Sequence, residues 1–155
     1  MERTCVILKP DAVNRGLMGE ILKRFENKGF RVIGLKMERL APIKLEEHYA
    51  HHKDKPFFQG LVKYMASIPC VVIALEGVEA VEVVRKMVGA TSGRKADMGS
   101  IRGDFSMSHQ QNLIHASGSK EEAEKEIKRF FKESELHAYP LMSLDWLYSE
   151  EEKKA

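Results

Sequence analysis

The stretch Thr4-Cys5-Val6-Ile7-Leu8-Lys9-Pro10-Asp11 sets the frame for everything after it. Residues 4–8 form a short apolar run without alternation, which reads as a buried strand. Lys9-Pro10-Asp11 ends it, because proline has no N–H to extend a ladder. Downstream, Met18, Ile21, Leu22 and Phe25 fall at helical spacing, and Lys28-Gly29 supplies a helix stop. Ile33, Leu35 and Met37 alternate with Gly34, Lys36 and Glu38, the pattern of a half-buried strand with one wet face. A helical stretch runs from about Lys44 to Met65, broken near Pro56. Residues 70–75 read as another buried strand and 78–88 as another helix. A short strand at Leu113-Ile114 precedes Ser119-Lys120-Glu121-Glu122, a capping box that opens a helix running through Phe131. Strands and helices therefore alternate. Both a doubly wound parallel sheet and a ferredoxin-like sheet of split βαβ units satisfy that order.

At 155 residues the chain has the length of one domain, 1–155. Its charge of +2 is too even for a surface that wraps nucleic acid or adheres to an anionic membrane, so neither is expected as a partner. Cys5 and Cys70 each lie in an apolar run and lack a Cys-x-x-Cys neighbour, so they are expected to be buried reduced thiols. The apolar stretch before Lys9 is far too short for a signal peptide or a membrane span, which favours a cytoplasmic protein.

Between Val88 and Asn112 the sequence has no clear period and is punctuated by Gly89, Gly93, Gly99 and Gly103. Long loops inside compact domains are commonly functional. This one carries Arg94, Lys95 and Arg102 and follows Arg85, a set suited to phosphate. His115 stands at a strand end among small residues, where a neutral imidazole can accept a phosphoryl group. A lone histidine is more often a hydrogen-bonded bystander. On the following helix Glu124 and Glu126 flank the apolar stripe on either side, and periodicity does not choose which could orient His115. Lys9 offers a point charge at a strand end. His48, His51 and His52 have i, i+3, i+4 spacing but no acidic partner, so no metal site is expected of them. Lys28-Gly29-Phe30-Arg31-Val32 lacks the second aromatic of an RNA-recognition strand. There is no P-loop and no Rossmann fingerprint.

The segments Arg3-Thr4 through Ala12-Val13, Arg15-Gly16-Leu17, Pro56-Phe57-Phe58, Gly60 through Met65, Ile101-Arg102-Gly103-Asp104-Phe105 and Asn112-Leu113-Ile114-His115 together resemble the nucleoside diphosphate kinase family. The resemblance runs from about residue 3 to residue 148. It implies an α/β (α+β sandwich) fold with a ferredoxin-like four-stranded antiparallel sheet covered by helices. It also implies transfer of the γ-phosphoryl group from a nucleoside triphosphate, mainly ATP, to a nucleoside diphosphate, with Mg2+, through a phosphohistidine. By the same resemblance His115 is the phosphorylated residue, Glu126 orients it and Ser117 stands beside it. Lys9 and Asn112 contact the sugar hydroxyl and phosphate region, and Tyr49 lies near the reacting phosphate. Arg85, Thr91 and Arg102 clamp the phosphates, and Phe57 stacks on the base. Homo-oligomers, hexameric or tetrameric, are implied as well. A catalytically inactive scaffold and a ferredoxin-like RNA-binding module are the rival readings.

Several positions depart from the family pattern. Thr91-Ser92-Gly93 stands where Thr-Asn-Pro is common, and the absent proline suggests that Gly93→Pro would stabilise the loop. Ala116 and Gly118 replace a frequent glycine and aspartate, which leaves the following helix without an expected acid at its cap. His109 occupies a place beside the base that is more often aliphatic. A pure clamp role for Arg102 would make Arg102→Ala harmless to thermal stability.

Overall fold

The computed structural model describes residues 1–141 and 143–154. Four strands, β1 (Glu2–Leu8), β2 (Arg31–Glu38), β3 (Cys70–Gly77) and β4 (Ile114–Ala116), form one sheet in the order β2-β3-β1-β4. All three pairings are antiparallel. Helical connections follow β1, through α1 (Pro10–Asn14) and α2 (Met18–Lys28), and β3, through α5 (Ala80–Val88) and α6 (Ile101–Phe105). Each split unit thus leaves a gap in the sheet that the other fills. This is the ferredoxin-like α+β arrangement, and it excludes the doubly wound parallel alternative.

The central strand explains its own composition. Cys5 and Ile7 face one core with α3 (Pro42–His48), α4 (Phe58–Met65) and α7 (Lys120–Phe130); Val6 and Leu8 face a second core with α2 and α5. Burial on both faces is why the run carries no alternation. Both cysteines are buried and free.

β2 departs from expectation. Its register with β3 shifts between Val32 and Gly34, so Ile33 is an extra residue and the strand bulges there. Ile33 still reaches the first core, but Leu35 and Met37 are 52% and 55% exposed on an edge strand. The alternation is real; the face expected to be dry is the wet one beyond the bulge. With Leu8, Met18, Leu22, Val71 and Ile73 they line a shallow apolar depression of about 360 Å³.

The segment between Val88 and Asn112 is also more ordered than its sequence suggests. It holds a 3-10 turn at Gly93–Lys95 and α6, whose N-cap Ser100 accepts from Gly103 N. Leu113 lies outside β4, in a left-handed conformation with φ of 71°. Gly93 donates its N–H to Ser108 O at 3.0 Å, and a Cβ there would stand 2.1 Å from the Ser106 carbonyl oxygen. The stabilising Gly93→Pro substitution is therefore overturned, since proline deletes the donor and adds the clashing carbon. Gly93→Pro should destabilise by more than about 1 kcal/mol, read as a lower melting temperature; an unchanged or raised value would mean the loop does not pack on Gly93 in this way.

Candidate active site

His115 is the middle residue of β4, opposite Ile7 of the central strand. Its Nε2 lies 2.9 and 3.0 Å from the two carboxylate oxygens of Glu126. Glu126 is presented by α7, which starts at Ser119, whose hydroxyl accepts from Glu122 N. Two turns on, Glu126 is 6% exposed on the sheet side. Glu124 is exposed on the solvent side, so of the two it is Glu126 that meets the ring. Ser117 is fully buried and donates to Glu126 Oε2 at 2.6 Å. A carboxylate accepting from Nε2–H leaves Nδ1 with its lone pair and, among the described residues, no hydrogen-bond partner.

A second cluster sits on the other side of the Leu113 turn. Lys9, 7% exposed, donates from Nζ to Asn112 Oδ1 at 2.6 Å. Asn112 spends both amide hydrogens on backbone, toward Thr91 O at 2.8 Å and His109 O at 3.0 Å. Thr91 thus enters the network through its carbonyl, its side chain remaining exposed. Arg102 donates to three carbonyls, those of Asn112, Gly89 and Ile114, at 3.1, 3.0 and 2.6 Å. Arg85 is exposed on α5.

Asp11 lies near enough to favour the charged forms of Lys9 and Arg102 without pairing directly with either. Among the described residues none of Lys9, Arg85 and Arg102 has a carboxylate within ion-pair reach. Burial, then the nearby Arg102, pulls the Lys9 ammonium down to about 8. Burial, then Arg85, pulls Arg102 down to about 10, so it still carries its charge at neutral pH. Such a surplus favours an anion.

Tyr49 is buried beside them, its ring edge-on to His115 with centroids 6.1 Å apart. Its hydroxyl is buried and has no partner among the described residues, an arrangement that ordinarily calls for explanation. Phe57 is 40% exposed and meets His52 at 5.2 Å, and His52 stacks on Tyr49 at 6.4 Å. The sequence triplet of histidines is divided by the end of α3: His48 is buried, while His51 and His52 lie in the 3-10 turn Ala50–His52. The donor atoms that do converge belong to His48, His115 and Glu126, within 4.8 Å of one another. Glu126 there is already occupied by His115 and Ser117, and Arg129 stands 3.4 Å from His48. Two imidazoles and one engaged carboxylate do not make the oxygen-rich shell that Mg2+ prefers.

Two residues escaped the sequence reading. Asp11 was read only as a strand stop, yet it accepts from Leu113 N at 3.0 Å and from the Tyr64 hydroxyl at 2.5 Å, fixing the turn between the clusters. A carboxylate in the first turn after a strand end was the available signal. His48 had none once the metal spacing was set aside.

The family model for nucleoside diphosphate kinase matches residues 2–136. The chain is 54% identical over 152 residues to the nucleoside diphosphate kinase of Parabacteroides distasonis, covering 98% of this chain and 99% of that protein. It is 53% identical over 150 residues to that of Pyrococcus horikoshii, covering 95% of each. Among solved structures, a halophilic nucleoside diphosphate kinase from Halobacterium salinarum in complex with CDP superposes with a TM-score of 0.93 at 43% identity, covering 96% of this chain and 99% of that one. A family protein from Babesia bovis gives 0.92 at 42% identity, with 96% and 100% covered.

The three carbonyls bound by Arg102 correct the expectation that its removal would spare stability. Arg102→Ala should lower the melting temperature, the lost hydrogen bonds being worth roughly 2–4 kcal/mol together. A calorimetric scan matching the parent would show that the side chain does not brace the backbone.

Proposed function

The chain belongs to the nucleoside diphosphate kinase family, and from that premise we propose how its residues divide the transfer of a γ-phosphoryl group. The enzyme moves that group from a nucleoside triphosphate to a nucleoside diphosphate in two half-reactions through a phosphohistidine. His115 Nδ1 attacks the γ-phosphorus in line, the N–P bond forms as the bond to the diphosphate leaving oxygen breaks, and the first product departs. A terminal phosphate oxygen of the second diphosphate then attacks the phosphohistidine and restores the ring. The Nε2 proton stays on the ring and is donated to the Glu126 carboxylate throughout, which balances the positive charge the ring takes on when Nδ1 is phosphorylated, and Ser117 holds that carboxylate in place.

Phosphoryl transfer asks mainly for positioning and for positive groups around the equatorial oxygens. Lys9, Arg85 and Arg102 supply the charge, with Thr91 on the same clamp. Asn112 steers Lys9 toward phosphate and the sugar hydroxyl. The unpartnered Tyr49 hydroxyl serves the reacting phosphate, and Phe57 stacks on the base, a contact any base can make. The single observation that carries the reading is a histidine with one ring nitrogen held by a buried carboxylate and, among the described residues, no partner on the other, beside cations that no carboxylate pairs with directly.

Nucleoside diphosphate kinases generally need a divalent metal ion; here we take it to be Mg2+, brought on the nucleotide phosphates. Residues 1–155 act as one domain, the two cores sharing one sheet. A cytoplasmic setting fits the two free thiols, and no helix among the described residues is long and apolar enough to cross a membrane. A homo-oligomer, hexamer or tetramer, is part of the same proposal, and what supports it is the uncovered apolar depression around Leu35 and Met37.

Incubation with γ-labelled ATP and Mg2+ should leave an acid-labile label on the protein that a diphosphate discharges, with no uptake in excess chelator. His115→Ala should take up none; a labelled alanine variant would refute the assignment. Leu35→Lys combined with Met37→Lys should reduce the mass measured by light scattering. An unchanged mass would remove that face from the assembly.

A further inference from the structure

Glu126 and Arg129 stand three residues apart on α7, a spacing at which acid and base on one helix face ordinarily pair. They do not pair. Arg129 Nε donates to Glu47 Oε1 at 3.1 Å, and one of its terminal nitrogens faces His48 Nδ1 at 3.4 Å. The His48 side chain has no exposed surface, and its Nδ1 is also 3.8 Å from Glu126 Oε1. Its ring stands edge-on to His115, with centroids 4.5 Å apart and planes at 80°, and packs on Tyr49 and Phe130.

Burial, with the charge of Arg129 among the lesser causes, pushes His48 far below the usual imidazole range, so the ring is neutral. A neutral ring facing an N–H donor turns a lone pair toward it, which puts the His48 proton on Nε2. The Nε2 atom is buried and, among the described residues, has no hydrogen-bond partner, so it does not bond to Glu126. Without His48, the Arg129 terminal nitrogen that faced it would be released, its Nε still on Glu47, and would turn to the Glu126 carboxylate, since a charge-assisted pair is stronger than the bond from a neutral imidazole N–H.

We infer that His48 is a positioning residue for phosphoryl transfer: by accepting from Arg129 it keeps that guanidinium off Glu126, and the carboxylate stays on His115 Nε2 and Ser117. The inference rests on the roles assigned to His115 and Glu126 above. It also makes Arg129 a residue whose presence is harmful unless His48 occupies it.

The test is a set of variants assayed for kcat and for KM of the diphosphate. His48→Phe keeps the ring volume and loses the acceptor; kcat should fall at least tenfold while KM stays within twofold. His48→Asn, whose Oδ1 can take the place of Nδ1, should stay within threefold of the parent. Adding Arg129→Met to His48→Phe should recover at least fivefold in kcat, a rescue that a purely structural role would not give. Parental kcat in His48→Phe, or a double variant no better than the single, overturns the inference. Should His48→Phe fail to fold, the 15N shifts of the parent decide: Nδ1 unprotonated and Nε2 protonated from pH 5 to 8 supports it, and a proton on Nδ1 overturns it. Parent enzyme is assayed first, with His115→Ala beside it. Turnover that survives His115→Ala would count against the site assignment and leave the Arg129–His48 relation to the nitrogen shifts.

Discussion

Leu113 holds a φ of 71°, a conformation that costs an ordinary L-residue about 1–3 kcal/mol and persists only when the surroundings impose it. Three hydrogen bonds do the imposing, one to a carboxylate and two between backbone groups. Leu113 N donates to Asp11 Oδ2, Ile114 N donates across the turn to Asn112 O at 2.9 Å, and Lys9 N donates to Leu113 O at 2.8 Å. The leucine side chain is fully buried in the core shared with α2 and α5, which offsets the strain. Because the chain reverses here, Asn112 turns back toward Lys9, and three residues later His115 meets Glu126 of α7. The two halves of the site, one carrying charge and one carrying the nucleophile, are joined by this single tight turn.

Charge balance in the first half runs against stability. Lys9 and Arg102 are largely buried and near each other, with Asp11 as a partial counter-charge and, among the described residues, no direct ion pair, an arrangement a protein built only to fold would avoid. The Arg102 guanidinium limits the penalty by binding three backbone carbonyls, whose partial negative charge substitutes for a counter-ion. Those bonds also tie Gly89, Asn112 and Ile114 together across the turn. One side chain therefore braces the backbone through three of its five N–H groups.

Much of this was legible in the sequence. The unalternating run at 4–8 and the Ser119 cap announced β1 and α7, and the order of elements narrowed the fold to two candidates. Antiparallel pairing could not be read, since it depends on which strand fills the gap in each split unit. The face of β2 was misjudged because one bulged residue, Ile33, reverses every side chain after it. The segment from Val88 to Asn112 looked structureless because its order comes from side chains bonding to carbonyls, which leave no period. Periodicity could not separate Glu126 from Glu124, whose difference in packing against the sheet leaves no trace in the helical period; the family resemblance alone picked Glu126. Asp11 and His48 act through partners 102 and 81 residues away, which no local pattern encodes.

The departure at Gly118 shows how a lost family residue is made good locally. The aspartate common there would cap α7, and its absence left that helix end in question. Ser119 takes over the cap, accepting from Glu122 N. Glu122 in turn reaches back past its usual capping-box target to accept from Gly118 N at 2.9 Å. A Cβ at residue 118 would stand 2.6 Å from that same carboxylate oxygen. The glycine and the reaching glutamate are therefore one device: the negative charge at the helix start comes from inside the helix, and the backbone after Ser117 gives it room. The start of α7 is held by a different residue, and Glu126, two turns on, meets His115 all the same.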